Sequence, residues 1–227
     1  RARRFMSEIG LDEAYAGQRN APPPPELEEV DGPTEYPALH HYQEKLASRT
    51  FDLLRSPVPK RAMLSLPTGA GKTRVAAEAI IRAIKEDGLT GPVLWIAQSV
   101  ELCEQAVQSW MFVWSKVGPA TKLSISRLWE GNSATAITAN PHLVVATDAK
   151  LERVLRSGEY AWLREPAIVI VDEAHRSMSP RYTDLLRTLG LTFARTTRPL
   201  IGLTATPFRG FDSEDTRHLV ERYGKNR

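Results

Sequence analysis

Leu66-Pro67-Thr68-Gly69-Ala70-Gly71-Lys72-Thr73 is a glycine-rich turn set between an apolar run, Ala62 to Leu66, and a helical pattern, Val75 to Ile84. Strand, tight loop and helix in that order build a phosphate cradle. Small residues let successive backbone N–H groups converge on phosphate oxygens, and the first turn of the following helix adds partial positive charge. In such a loop Pro67, Thr68, Gly69, Ala70 and Gly71 wrap the phosphates of ATP. Lys72 reaches the β- and γ-phosphates, and the Thr73 hydroxyl faces Mg²⁺. The pattern normally opens on a small residue where this chain has Leu66, a departure confined to the edge of the loop.

Outward from the loop, apolar runs alternate with helical patterns. Ala38 to Leu54 has helical spacing (Leu39, Tyr42, Leu46, Phe51, Leu54) and stops at Ser56-Pro57-Val58-Pro59. Strands are expected at Ala62–Leu66, Pro92–Ala97, Leu123–Ser126, His142–Ala146, Ala167–Val171 and Leu200–Thr204. Helices are expected at Gly71–Glu86, Ser99–Trp114, Asp148–Leu155 and Arg181–Leu189. Ile168-Val169-Ile170-Val171 is a continuous β-branched run of the kind buried on both faces of a parallel sheet. The alternation predicts an α/β fold: a doubly wound, mainly parallel sheet with helices on both faces and ligands at the carboxyl ends of the strands.

That run feeds straight into Asp172-Glu173-Ala174-His175. Two carboxylates where a strand ends suit Mg²⁺, which keeps few protein ligands beside phosphates and water; Asp172 is the candidate for its shell. Glu173 is the candidate base that orients or deprotonates an attacking water. A surface acidic turn with a capping role is the alternative. Thr204-Ala205-Thr206-Pro207 follows the last strand with small hydroxyl residues. Alone it reads as an ordinary turn. Leaving a strand next to the acidic motif, it could hydrogen-bond that motif and relay nucleotide state.

With 227 residues, 42% of them hydrophobic, the chain can bury the core of one domain plus an extension. Residues 1–18 have a basic start and weak helical spacing. Residues 19–37, with Pro22 to Pro25 and the acidic Glu26, Glu28, Glu29 and Asp31, read as a linker, and the domain proper as 38–227. A net charge of +3 permits contact with a phosphate backbone without requiring it. The single cysteine, Cys103, cannot make an internal disulfide, and no apolar run spans a bilayer, so the chain reads as cytoplasmic. It starts at Arg1, which suggests a piece of a longer protein. Of its five tryptophans, Trp95, Trp110 and Trp114 are expected in the core rather than in a base-stacking platform.

Pro-Thr-Gly-Ala-Gly-Lys-Thr, Asp-Glu-Ala-His and Thr-Ala-Thr, in that order, resemble motifs I, II and III of superfamily 2 helicases and translocases, over about residues 38 to 210. Gly202 to Arg209 further resembles the DNA-directed branch that includes RadD-like helicases and the motor subunits of type I and III restriction enzymes. DEAH-box RNA helicases usually carry Ser at the first position of motif III. The resemblance implies a first RecA-like P-loop NTPase domain that couples ATP hydrolysis to movement on DNA rather than RNA, in repair or phage defence. It also implies that Gln43 reads adenine and that His175 couples motif II to motif III. Ser99 and Thr147, in stretches similar to motifs Ia and Ib, would grip the nucleic-acid backbone. Val100 stands where relatives often have Arg. The partners implied are a second RecA-like domain, whose Gln-x-x-Gly-Arg-x-x-Arg motif does not follow Arg209 here, and other subunits of a repair or defence complex. A Swi/Snf-type duplex translocase and a nucleotide-gated scaffold remain as alternatives.

Overall fold

Ile168–Val171 is buried at every residue and lies inside a seven-stranded sheet. The computed structural model describes residues 25–30, 38–192, 194–205 and 214–224. Its strands are β1 (Leu27–Val30), β2 (Arg61–Ser65), β3 (Val93–Ala97), β4 (Leu123–Leu128), β5 (His142–Thr147), β6 (Ile168–Val171) and β7 (Leu200–Thr204). Across the sheet they run β1-β4-β5-β3-β6-β7-β2, parallel throughout except where β1 meets β4. The helices are α1 (His41–Leu54), α2 (Lys72–Asp87), α3 (Val100–Val117), α4 (Asp148–Val154), α5 (Pro180–Thr188) and α6 (Glu214–Tyr223). Two 3₁₀ segments, Gly158–Arg164 and Ala174–Arg176, complete the described elements.

Parallel strands need crossover helices, and those helices cover both faces. One core combines α1, α2 and α3 with Val93, Trp95 and Ala97 of β3. The other combines α4, α5 and α6 with Leu94 and Ile96 of the same strand, as the two-residue period of a strand demands. Trp95, Trp110 and Trp114 are fully buried, as expected. Trp95 meets Trp110 edge-on at 6.3 Å, a geometry worth about 0.5–1.5 kcal/mol beyond the area it buries. Among the described residues no helix is long and apolar enough to cross a membrane.

The stretch 19–37 is not wholly a linker. Leu27–Val30 adds antiparallel to β4, from Leu27 opposite Ser126 to Val30 opposite Leu123. The physical reason is Arg127, only 3% exposed. Its guanidinium donates to the Pro25 carbonyl (3.0 Å), to Glu28 (3.0 Å) and to Glu104 of α3 (3.2 Å). Part of the acidic patch thus neutralises a buried cation, which would otherwise cost several kcal/mol. The helical expectation for 1–18 lies outside the described residues.

Helix α6 was not anticipated. Its Tyr223 is fully buried and lies against Gly202 of β7, where a Cβ would come within 2.6 Å of the ring. The Tyr223 hydroxyl pairs with Ser177 Oγ at 2.9 Å, which ties this helix to the chain just after the acidic turn.

Candidate functional site

The phosphate loop leaves the end of β2 and becomes α2. Gly69 and Gly71 take positive φ (+78° and +85°), a conformation that glycine alone adopts without strain. Gly71 also caps α2, with no side chain bonding to its first turn, and the first helical bond runs from Val75 N–H to the Gly71 carbonyl. The N–H groups ahead of Val75 therefore have no acceptor within the helix. Lys72 Nζ makes one long contact, 3.4 Å to the Leu66 carbonyl.

Gln43 of α1 is buried at 5% exposure and sets the loop's position. Its Nε2 donates to the Ala70 carbonyl (3.1 Å), and its Oε1 accepts from the His40 N–H (3.0 Å). Each end of the carboxamide keeps one bonding position. A Cβ on Gly71 would fall 2.6 Å from Nε2, so any larger residue there would push the Gln43 carboxamide aside.

Asp172 follows β6 and sits largely out of water. Burial raises its pKa above the ordinary 3.8, and nearby Glu173 adds to the effect; the Glu173 N–H, 2.9 Å from Oδ1, and the Lys72 ammonium work the other way. The Trp95 indole N–H also favours the charged carboxylate but lies outside hydrogen-bond geometry. Glu173 adopts a left-handed backbone (φ 48°, ψ 50°), which costs on the order of 1–2 kcal/mol for a residue with a Cβ. His175 Nδ1 holds its carboxylate at 3.2 Å, and the same nitrogen lies 3.1 Å from Thr204 Oγ1. The expected link from acidic turn to the end of β7 is therefore a direct contact. Thr204 is fully buried. Ala205 follows it, and Thr206 lies outside the described residues.

Thr147 ends β5 and Ser99 lies two residues past the end of β3, and these strands are neighbours in the sheet. Both hydroxyls accept from the first turn of a helix, Ser99 from Leu102 N–H (3.3 Å) and Thr147 from Lys150 N–H (3.4 Å), and the Ser99 hydroxyl also favours the charged form of the Glu101 carboxylate. They lie on the strands beyond β6, about three strand spacings (~14 Å) or more from the phosphate loop. Sequence reasoning missed one connection between the two groups: Arg176 Nη1 donates to Gln98 Oε1 at 3.1 Å, joining the acidic turn to the loop after β3. Cys103 is buried, and its thiol is pushed up to about 12, chiefly by that burial, so it is inert.

A bound nucleotide with Mg²⁺ fits these residues. The start of α2 offers N–H groups with no acceptor within the helix, beside a loosely held ammonium. Asp172 is a carboxylate whose burial penalty a divalent cation would reverse. Among the described residues no group of three or more His, Cys, Asp or Glu side chains could hold a metal alone.

The family model described as "Type III restriction enzyme, res subunit" matches residues 37–209. Among curated relatives, ATP-dependent DNA helicase Hel308 of Pyrococcus horikoshii is 24% identical over 51% of the chain. ATP-dependent RNA helicase DHX58 of Mus musculus is 30% identical over 66% of it. The chain spans 15% and 23% of the lengths of these relatives. Among solved structures, the Hef helicase domain of Pyrococcus furiosus superposes with a TM-score of 0.57 at 24% identity, covering 83% of this chain and 36% of that one. That likeness concerns the fold.

Proposed function

The chain belongs to the type III restriction enzyme res subunit family of helicase-like ATP-dependent motor domains, and from that premise we propose that it is the N-terminal, ATP-binding RecA-like domain of a DNA helicase or translocase. The observation that carries this reading is convergence. The phosphate loop, the Asp172-Glu173 turn and the His175–Thr204 pair leave the ends of three neighbouring strands, β2, β6 and β7.

In this reading the N–H groups from Gly69 to Thr73 and the Lys72 ammonium bind the triphosphate, and Gln43 uses its two spare bonding positions on the adenine edge. Thr73 and Asp172 would hold Mg²⁺, which would supply positive charge against the negative charge that develops on the leaving group. Glu173 accepts the proton of the attacking water at Oε1 while His175 Nδ1 keeps Oε2 in place. Thr204, in direct contact with His175, passes any movement of that imidazole to Ala205 and Thr206. The hydroxyls of Ser99 and Thr147 bond backbone phosphates, contacts that carry no sequence information. DNA is the preferred partner, in repair or phage defence. A second RecA-like domain supplies the missing arginines, without which hydrolysis falls by about 10³ to 10⁵.

The test is steady-state and single-turnover ATP hydrolysis by the protein joined to its second motor domain, with and without single-stranded DNA, duplex DNA or RNA, beside Lys72→Ala and Glu173→Gln. Stimulation by DNA that both substitutions abolish supports the motor. Turnover indifferent to every nucleic acid and to Glu173→Gln refutes it.

A further inference from the structure

The nucleotide residues leave β2, β6 and β7, whereas Ser99 follows β3 and Thr147 ends β5. These two groups of strands adjoin where β6 pairs with β3. The acidic turn after β6 is therefore the part of the nucleotide site next to the loop that carries Ser99, one strand spacing away, about 4.8 Å. Any influence of a bound strand on hydrolysis has this boundary to cross.

At the carboxyl ends of the pair the ladder stops at Ile96 opposite Val171, and the Asp172 N–H adds a bond to the Ile96 carbonyl at 2.8 Å. Beyond that point the chains part, one toward Ser99 and α3, the other into the short helix Ala174–Arg176. Arg176 spans the gap. Its Nη1 donates to Gln98 Oε1 at 3.1 Å, and Gln98 directly precedes Ser99, the cap of α3. Its main-chain N–H donates to the Glu173 carbonyl at 2.9 Å. One residue thus bonds the loop after β3 with its side chain and the candidate base with its backbone.

The acidic turn has other supports, and they lead elsewhere. His175 Nδ1 holds the Glu173 carboxylate at 3.2 Å and meets Thr204 of β7. Ser177 Oγ donates to the Ala174 carbonyl at 2.7 Å and pairs with Tyr223 of α6. These contacts fix the turn against β7 and α6, so it keeps its place without the Arg176 guanidinium. Arg176 is exposed, and a hydrogen bond that competes with water adds little to stability. Its placement suits transmission better than support.

We propose that Arg176 is a positioning residue that couples nucleic acid at the Gln98–Ser99 loop to Glu173. When a bound strand moves that loop, the Gln98–Arg176 bond carries the movement to the residue whose amide holds Glu173. This inference rests on the motor reading and names how the same site is regulated.

A proposed path needs coupling evidence, so the test is a double-mutant cycle: Arg176→Ala, Gln98→Ala and both together, with Arg176→Lys as the conservative variant. ATP hydrolysis by the protein joined to its second motor domain is read with and without saturating single-stranded DNA, duplex DNA or RNA, and strand affinity by fluorescence anisotropy. Hydrolysis without nucleic acid and strand affinity are expected to hold at wild-type values, while stimulation falls about fivefold or more, the lower end of couplings between sites. The double variant should lose no more than either single one. Arg176→Lys, which keeps a donor on a long side chain, should recover part of the stimulation. The proposal is overturned if the alanine variants are stimulated like wild type, or if their unstimulated rate falls in parallel, the mark of a structural support. It is also overturned if strand affinity falls and saturating strand restores full stimulation, the mark of a direct phosphate contact. Wild type that no nucleic acid stimulates overturns the motor reading and this proposal with it; stimulated wild type beside equally stimulated variants overturns this proposal alone.

Discussion

A methyl group added to Gly202 would lie 2.6 Å from Cε1 and 2.8 Å from Cδ1 of Tyr223, and 2.8 Å from the Cβ of Ala174. Carbon atoms pack best at about 3.5–4.0 Å, so the methyl overlaps neighbours on two sides by roughly 1 Å. Neither neighbour can retreat easily. Tyr223 is fully buried and held by Ser177, and Ala174 begins the short helix that follows Glu173. Overpacking of a filled core costs about 1–3 kcal/mol, and two fixed neighbours put Gly202→Ala at about 2–3 kcal/mol. That corresponds to roughly 4–12 °C in melting temperature for a domain of this size. Thermal unfolding of Gly202→Ala, Tyr223→Ala and the double variant tests the cause. Tyr223→Ala alone leaves a cavity and costs about 3–5 kcal/mol. In that background the contact with the ring is gone and only that with the Ala174 Cβ remains, so the methyl's own cost should fall to about half, a coupling of about 1 kcal/mol. Equal losses in both backgrounds would refute the argument that the Tyr223 ring requires a glycine in β7.

Asp172 has its pKa raised by burial, so the fold holds that proton more tightly than the unfolded chain does, and stability falls as pH rises from 3.8 through the folded value. Calorimetry should find Asp172→Asn more stable than wild type at pH 7, with the gain gone below pH 3.8, while ATP hydrolysis is abolished. His142 has the opposite sign. Its pKa is lowered from 6.5 to about 4, so the unfolded chain takes up a proton that the fold refuses. Urea unfolding should lose about 3 kcal/mol between pH 6.5 and 4 from this group, a loss missing in His142→Phe. Glu104→Ala strips one carboxylate from the buried Arg127 and should cost about 2 kcal/mol in urea unfolding. Arg127→Met, which removes the buried charge itself, should cost less.

The phosphate loop and the acidic turn were legible because each needs a few residue types in contiguous order, and the strands before them are apolar along their whole length. That the Thr204 turn could bond the acidic motif was legible from its place after the last strand, and His175 as the partner only as a likeness to known motors; the geometry supplies the 3.1 Å contact. Strand β1 was hidden because Leu27-Glu28-Glu29-Val30 is short, acidic and preceded by prolines, and the residue that makes it a strand, Arg127, lies 99 positions from Glu28. Helix α6 had a signal that went unused: a glycine inside an apolar strand marks a close approach, and Gly202 marks that of Tyr223. The burial of Gln43 against Ala70 follows from how α1 packs on α2, which no local pattern encodes.

The sheet order has a consequence for the growing polypeptide. Among the described strands, β2 pairs only with β7, Arg61 opposite Leu200 through Ser65 opposite Thr204. The strand that launches the phosphate loop is thus made early on the ribosome and has no described neighbour to pair with until nearly all the rest of the sheet has been synthesised. At roughly 5–20 residues per second, it waits on the order of ten seconds. Throughout that interval an apolar segment and a glycine-rich loop stay open to chaperones and proteases, and the ability to hold a triphosphate arrives as one of the last events of folding.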